Sequence, residues 1–153
     1  MTRARWVVVV GAVLLGVVLV RYFLWIDVAE GCIVRIRPSL VGYDNTVVKQ
    51  ALAALRHGAP DDYRAVCTHV ATINPNPACG GFGGGCFWHH EGQRGRATID
   101  VSTEHGLIWT IGIIVHETCH ARQFHEGRPP GFDLEHECYV EDDRVLRALV
   151  QFE

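Results

Sequence analysis

Residues 96–120 read RATIDVSTEHGLIWTIGIIVHETCH. Apolar and polar residues alternate from Arg96 to Ser102, which predicts a β-strand with one buried face. The nine residues from Leu107 to Val115 are apolar or small except for one threonine, and such a β-branched run suits either a helix or a strand. His116 and His120 follow this run at a spacing of four residues, which favours a helix. We therefore expect an α+β domain in which a buried helix packs on a short β-sheet.

Residues 116–120, HETCH, match the metal-binding pattern His-Glu-x-x-His. On a helix, His116 and His120 lie one turn apart on the same face, so both imidazoles can reach one metal ion. Zinc suits two imidazoles and one further protein ligand, with a fourth position left for water. Glu117 lies beside the two ligands, where it can hold and deprotonate that water. The alternative is a surface helix with two solvated histidines, and the apolar run before His116 argues against it.

A second helix is expected to supply the third ligand. The first helix ends at a Gly- and Pro-rich segment, residues 127–131, and Asp133 can cap the next helix. The second helix has an apolar stripe that contains Leu134, Cys138, Val145 and Leu149. At about 100° per residue, Glu135 lies beside this stripe, and we predict that it binds the metal with the two histidines. Three nearby residues are alternatives for this role: Glu137, Glu141 and His136.

These features resemble the zincin metallopeptidases, and in particular the gluzincin-like ones. The resemblance covers residues 96–150: a strand, an apolar helix carrying HETCH, a turn, and a helix carrying an added glutamate. It implies a small zincin-like domain that hydrolyses peptide bonds by metal-activated water, with Zn²⁺ as the cofactor and Glu117 as the catalytic base. It also implies that the strand before the active-site helix binds extended substrate along its edge.

Further residues are candidates for the substrate cleft. Asp100 and Ser102, on the predicted strand, would line it. The resemblance implies a donor that stabilises the oxyanion, and the candidates for this role are Tyr139, His136, His105 and His89. For each of these four residues, a packing or surface role is the alternative.

The N-terminal segment predicts a membrane span. Trp6 to Val20 contain no charge, Arg21 follows, and Tyr22 to Ile26 are again apolar. At about 1.5 Å per residue this segment covers about 30 Å, the thickness of the hydrocarbon core of a bilayer. We expect an uncleaved signal anchor because no small-x-small cleavage site follows Val20, with a cleaved signal peptide and a buried core helix as alternatives. Residues 1–27 would then form the cytoplasmic tip and anchor, and residues 28–153 the metallopeptidase-like domain.

The charges and the cysteines favour a domain outside the cytoplasm. Arg3 and Arg5 precede the span, and the positive-inside tendency keeps their side of the membrane cytoplasmic. All six cysteines follow the span. An even number of cysteines in an exported domain predicts disulfides, whereas buried thiols in a cytosolic domain are the alternative.

The glycine-rich segment CGGFGGGC predicts one disulfide. Cys79 and Cys86 enclose it, and a bond between them would close the loop. A zinc knuckle formed by this pair with His89 and His90 is an alternative.

The other four cysteines are harder to pair. Cys119 lies within HETCH and Cys138 on the second helix, and we expect two reduced thiols packed as small apolar residues, because a disulfide needs Cα atoms within about 7 Å. The alternative is a disulfide that clamps the two ligand helices. Cys32 and Cys67 are left as a pair by elimination.

The segment between the span and the glycine-rich loop predicts one strand and two helices. CIVRIR, residues 32–37, alternates and predicts a short strand. A helix is expected after Asp44 or Asn45 and ends at Gly58. Pro60 begins a second helical stretch that includes Val70. The Asn-Pro pairs of residues 74–77 predict an interruption of the regular secondary structure.

Composition limits the classes of function. The net charge is −3, so the chain has no basic excess for binding nucleic acid. The favoured function is a membrane-anchored zinc metallopeptidase that acts on a peptide or protein substrate. One alternative is an amidase that acts on a cell-envelope polymer with the same metal centre. Another is a non-enzymatic, membrane-tethered interaction or assembly module that uses a structural metal or only its disulfides.

Overall fold

Five helices and one mixed sheet of five strands form within the residues that the structure, a computed structural model, describes: 3–37, 45–76, 79, 84–88, 95–128 and 132–150. The arrangement is α+β, as expected. In chain order the elements are α1 (Arg3–Phe23), β1 (Leu24–Asp27), β2 (Cys32–Ile36), α2 (Thr46–Gly58), α3 (Pro60–His69), β3 (Val70–Pro75), β4 (Gly85–Trp88), β5 (Ala97–Val101), α4 (Gly106–His125) and α5 (Phe132–Leu149).

The sheet has the strand order β1-β2-β3-β5-β4. Strands β2, β3 and β5 run parallel, and the outer strands β1 and β4 run antiparallel to their neighbours. β5, the predicted strand before the HETCH helix, therefore has a neighbour on each side. The expectation that substrate pairs with an edge of this strand is wrong, because β4 covers that edge, from Gly85 opposite Val101 to Trp88 opposite Thr98.

The sequence pattern did not predict β3 or β4. The helix expected to include Val70 ends at His69, and Val70–Pro75 is a central parallel strand. A central strand is buried on both faces, so it lacks the alternation that identifies a half-buried strand. β4 is only four residues long and begins inside the segment predicted to be a loop.

The other predicted elements are confirmed. α2 begins directly after Asn45 and ends at Gly58, and α3 begins at Pro60. The alternating segments form β2 and β5, and HETCH lies on α4. α5 begins at Phe132, so Asp133 lies in its first turn rather than before it.

α4 lies at the centre of the helical layer and contacts α2, α3, α5, β4 and β5. This position explains its composition, because a helix with neighbours on most sides needs apolar residues around most of its circumference. Ile111, Ile114 and Val115 belong to the same core cluster as Ile73 and Ile99 of the sheet. The metal-binding pattern is therefore carried by the most enclosed helix of the domain.

α1 is long and apolar enough to cross a membrane, by length and composition, over Arg5–Phe23. A secretory signal sequence would meet the same criterion. Its large apolar side chains from Trp6 to Val20 are exposed. The expected span through Ile26 is too long, because the helix ends at Phe23 and Leu24–Asp27 pairs with β2.

All six cysteines form disulfides. The expected pairs Cys79–Cys86 and Cys32–Cys67 are confirmed. The expectation of two reduced thiols at Cys119 and Cys138 is wrong, because these residues form the third disulfide, with a Cα–Cα distance of 5.5 Å. The close packing of α4 on α5 accounts for this distance.

Candidate metal centre

α4 and α5 bring together His116, His120 and Glu135, whose ligand atoms all lie within 4.8 Å of one another. The Nε2 atoms of the two histidines are 3.1 Å apart. Glu135 Oε1 lies 3.2 Å from Nε2 of His116, and Glu135 Oε2 lies 3.1 Å from Nε2 of His120. The imidazoles of two successive turns of α4 and one carboxylate of α5 thus converge on one point.

The partners of the Nδ1 atoms determine which ring nitrogens carry protons. Gln123 Nε2 donates to the carbonyl of Leu134 at 3.0 Å, so Gln123 Oε1 is left to accept from His120 Nδ1 at 3.1 Å. Asp142 Oδ2 accepts from His116 Nδ1 at 3.1 Å. When both rings are neutral, both Nε2 lone pairs therefore face each other and a carboxylate. Three acceptors without a donor form an arrangement that a metal ion, or a proton on one ring, would satisfy.

A zinc ion fits this donor set. Two imidazole nitrogens and a carboxylate are common zinc ligands, and ligand atoms bonded at about 2.0–2.1 Å in tetrahedral geometry lie about 3.3 Å apart. The observed separations of 3.1 and 3.2 Å are close to that value. The hydrogen-bonded Asp142 and Gln123 hold the two rings in the orientation that a metal ligand needs.

The three alternative ligands lie elsewhere. Arg122 forms a bidentate ion pair with Glu141, with N–O distances of 3.0 and 2.7 Å. Arg128 forms another with Glu137, at 3.1 and 2.5 Å. His136 is exposed to solvent. Among these candidates on α5, only Glu135 lies with the two histidines.

Glu117 lies beside this group without belonging to it. Its side chain is buried and lines the same cleft as His116 and Glu135. Burial raises the pKa of Glu117 to about 7, while the charge of His116 opposes the rise and neighbouring carboxylates add to it. Burial by itself lowers the pKa of His116, but the hydrogen bond to Asp142 and the nearby carboxylates outweigh it, and the pKa is raised.

Gly85 of β4 packs directly on Glu117. A Cβ atom at this position would lie 2.8 Å from Oε1 of Glu117 and 2.4 Å from a methyl carbon of Ile113. A side chain larger than that of glycine would force the side chains of Ile113 and Glu117, or the backbone of β4, to shift. The backbone of β4 thus forms one wall of the space around Glu117.

A cleft of about 540 Å³ opens beside His116 and Glu135. Tyr139 lies at its rim, is hydrogen-bonded to Glu135, and has a pKa raised first by the negative charge of Glu135 and then by burial. The described residues that line the cleft are Gly84, Gly85, Trp109, Gly112, Ile113, His116, Glu117, Glu135, Tyr139, Asp142 and Leu146.

The other cleft candidates are placed differently. Asp100 is buried and accepts hydrogen bonds from the amides of Asn74 and Asn76, at 2.7 and 2.8 Å. Ser102 is fully buried, and neither residue lines the cleft. The expectation that these two residues line it is therefore wrong.

The histidine candidates also lie apart from the cleft or cannot be placed. His105 lies just before α4, its ring packs against Trp109, and it does not line the cleft. His89 and His90, and with them the zinc knuckle, lie outside the described residues.

Sequence reasoning missed three residues of this centre: Asp142, Gln123 and Gly85. Asp142 follows Glu135 by seven residues, or two helical turns, so it lies on the same face of α5. Gln123 follows His120 by three residues and shares its face of α4. These spacings are the signal that would have found them, whereas Gly85 has no local signal.

The disulfide Cys119–Cys138 joins α4 to α5 directly beside the two histidines. Cys138 Sγ lies 3.6 Å from Nδ1 of His120. At Gly112 a Cβ atom would lie 3.2 Å from Leu146, so the two helices also approach closely on the other side of the site. Both contacts hold the helix that carries Glu135 against the helix that carries the histidines.

Comparisons with protein-family models, with curated proteins and with solved structures found no match to this chain.

Proposed function

We propose that this chain is a membrane-anchored zinc metallopeptidase. His116, His120 and Glu135 hold the metal, and Glu117 is the general base. The observation that carries the proposal is the convergence of two Nε2 lone pairs and a carboxylate, beside a buried glutamate that is not one of the three. A structural metal site has no need of Glu117, whereas hydrolysis needs a group that moves a proton.

The residues around the centre have separate tasks in this reaction. Zinc held by His116, His120 and Glu135 would act as a Lewis acid that polarises the substrate carbonyl and makes water more acidic. Glu117 holds the attacking water, accepts its proton and passes that proton to the leaving amine. The Tyr139 hydroxyl, at the rim of the cleft, would turn from Glu135 to donate to the negative charge that develops on the carbonyl oxygen.

The outer edge of β4 is an argument in favour of a peptide substrate. β4 pairs with β5 along one side, and no other described strand pairs with it. Gly84 and Gly85 line the cleft, so an extended peptide that pairs with this edge passes close to Glu117. Substrate pairing with β4 replaces the pairing with β5 that was expected from the sequence.

The zincin-like fold is part of the proposal. It is supported by the succession of a strand, a helix carrying HETCH, a turn and a helix carrying Glu135. The antiparallel outer strand beside the HETCH helix is a further support, because no other described strand pairs with its outer edge at the candidate metal centre.

We place the domain outside the cytoplasm, with α1 as its anchor. The three disulfides support this placement, because disulfides persist in oxidising compartments. The arginines that precede the span support the orientation.

Turnover of a peptide library by the full chain tests the proposal, with zinc content measured on the same samples. We expect Glu117→Gln to keep its zinc and to lose activity by about 100-fold or more, because it cannot accept a proton. Glu104→Gln, at an exposed position before α4, is the matched control and should be as active as the wild type. A zinc-loaded wild-type chain without turnover, or an active Glu117→Gln variant, would contradict the proposal.

A further inference from the structure

A groove separates the end of α1 from α2. The amide of Asn45 and the ammonium of Lys49 both donate to the carbonyl of Tyr22, the ammonium at 3.1 Å, and Lys49 also donates to the carbonyl of Arg21. These bonds satisfy carbonyls that a helix leaves unpaired at its C-terminus. Because β1 begins at the residue after α1, no linker separates this helix end from the sheet.

The groove is apolar on one side and cationic at its mouth. It has a volume of about 560 Å³. Val17 and Val18, about one and a half turns before the end of α1, and Ala53 of α2 form the apolar part. Arg21 and Lys49 lie on the side where α1 ends. If α1 spans a bilayer, the valines lie at the depth of the acyl chains and the two cations at the level of the headgroups.

Arg21 and Lys49 have no anionic partner among the residues that the structure describes. Within the described part of the chain, neither Arg21 nor Lys49 forms an ion pair with a carboxylate. The pKa of Lys49 is lowered, first by burial and then by the positive charge of Arg21. Among the described residues, Lys49 uses two of its three N–H donors on carbonyls, which leaves the third to donate to a ligand.

We propose that this groove binds one anionic membrane lipid, with the phosphate between Arg21 and Lys49 and an acyl chain along Val17 and Val18. An anion at the mouth and a hydrocarbon chain along the wall match the charge and the polarity of the groove. The bound lipid would hold the end of α1 and α2 together and would limit tilting of the domain on the membrane. This proposal rests on α1 lying in a bilayer and is independent of the metal centre and of its activity.

Retention of lipid by the full chain tests the proposal. The chain is reconstituted into nanodiscs that contain phosphatidylcholine and a minor fraction of phosphatidylglycerol, and is then released for native mass spectrometry. We expect the wild-type chain to retain one phosphatidylglycerol and no phosphatidylcholine. The double variant Arg21→Gln, Lys49→Gln should bind phosphatidylglycerol about 30-fold more weakly, because it lacks two cations at an anionic surface.

Three variants separate lipid binding from folding. Arg21→Gln alone leaves the backbone bonds of Lys49 and Asn45 intact, and should still weaken retention. Lys49→Arg keeps the charge and should retain the lipid. Arg64→Gln removes a cation paired with Asp61 on α3, and should have no effect.

Two results would overturn the proposal. One is equal retention of phosphatidylglycerol by the wild-type chain and the double variant. The other is displacement of the lipid by inorganic phosphate, which would make the groove a site for a small anion instead of a lipid.

Discussion

Replacing Asp142 with asparagine tests whether His116, His120 and Glu135 hold a metal ion. Asp142 accepts a hydrogen bond from Nδ1 of His116 at 3.1 Å, across the ring from the nitrogen that would bind the metal. This hydrogen bond, the ring and a Zn–N bond of about 2 Å together place the carboxylate about 7 Å from the metal position. The substitution keeps the shape of the side chain and removes its charge.

The expected loss of metal affinity follows from this distance. A dication and a carboxylate about 7 Å apart attract each other by about 1 kcal/mol at the dielectric constant of water, and by about 5 kcal/mol at an effective value of about 20. Partners of ligand histidines typically change metal affinity by about 10- to 100-fold, or about 1.4 to 2.7 kcal/mol, which lies within these limits. We therefore expect Asp142→Asn to bind zinc about 30-fold more weakly.

Competition for zinc with a chromophoric chelator, at constant pH and ionic strength, measures the affinity. Asp143→Asn is the matched control, because Asp143 is the next residue, is exposed, and pairs with Arg147 at 2.7 Å. It should bind zinc like the wild type. Wild-type affinity in Asp142→Asn would refute the argument that the charge of Asp142 stabilises a metal ion at His116. A loss as large as that of His116→Ala would instead make Asp142 a direct ligand.

Three further predictions concern the framework of the site and its location. Gly85→Ala should lower the free energy of unfolding in urea by about 1–3 kcal/mol, because its Cβ would lie 2.4 Å from the nearest side-chain atom of α4. Gly95→Ala, where a Cβ meets nothing within 4 Å, is its control, and equal stability of the two variants would contradict the packing argument. Replacing Cys119 and Cys138 together with serine should lower unfolding stability by about 3 kcal/mol, as expected for a disulfide that closes a loop of this length, with a sequence separation of 19. Unchanged stability would show that the bond does not clamp the helices. A topology reporter fused after Glu153 should be active outside the cytoplasm, and a cytoplasmic signal would reverse the proposed orientation.

Local spacing was enough to predict the two histidines of the site. Four residues make about one helical turn, so His116 and His120 share a face of their helix whatever that helix packs against. The apolar character of α1 and the closed loop between Cys79 and Cys86 are likewise properties of short segments. For the same reason both ends of α2 and the start of α3 followed from residues near those points.

The choice of the carboxylate depended on how α5 is rotated against α4. Glu135, Glu137 and Glu141 are separated by a few residues on one helix, and their angles relative to the apolar stripe favoured Glu135 without excluding the others. The ion pairs of Arg122 and Arg128 with the other two glutamates leave Glu135 facing the histidines. These contacts join residues of different segments, so the rotation of α5 is not contained in the pattern of α5 alone.

The strand order and the third disulfide have the same origin. β3 and β4 exist because they pair with β5, and neither has an alternating pattern of its own. Cys119 and Cys138 form a disulfide because α4 and α5 pack closely. The distance between two helices cannot be predicted from the angular positions of residues around one helix. Periodicity reports which face of a segment is buried, whereas pairing and helix rotation depend on which distant segments bury and hydrogen-bond one another most favourably.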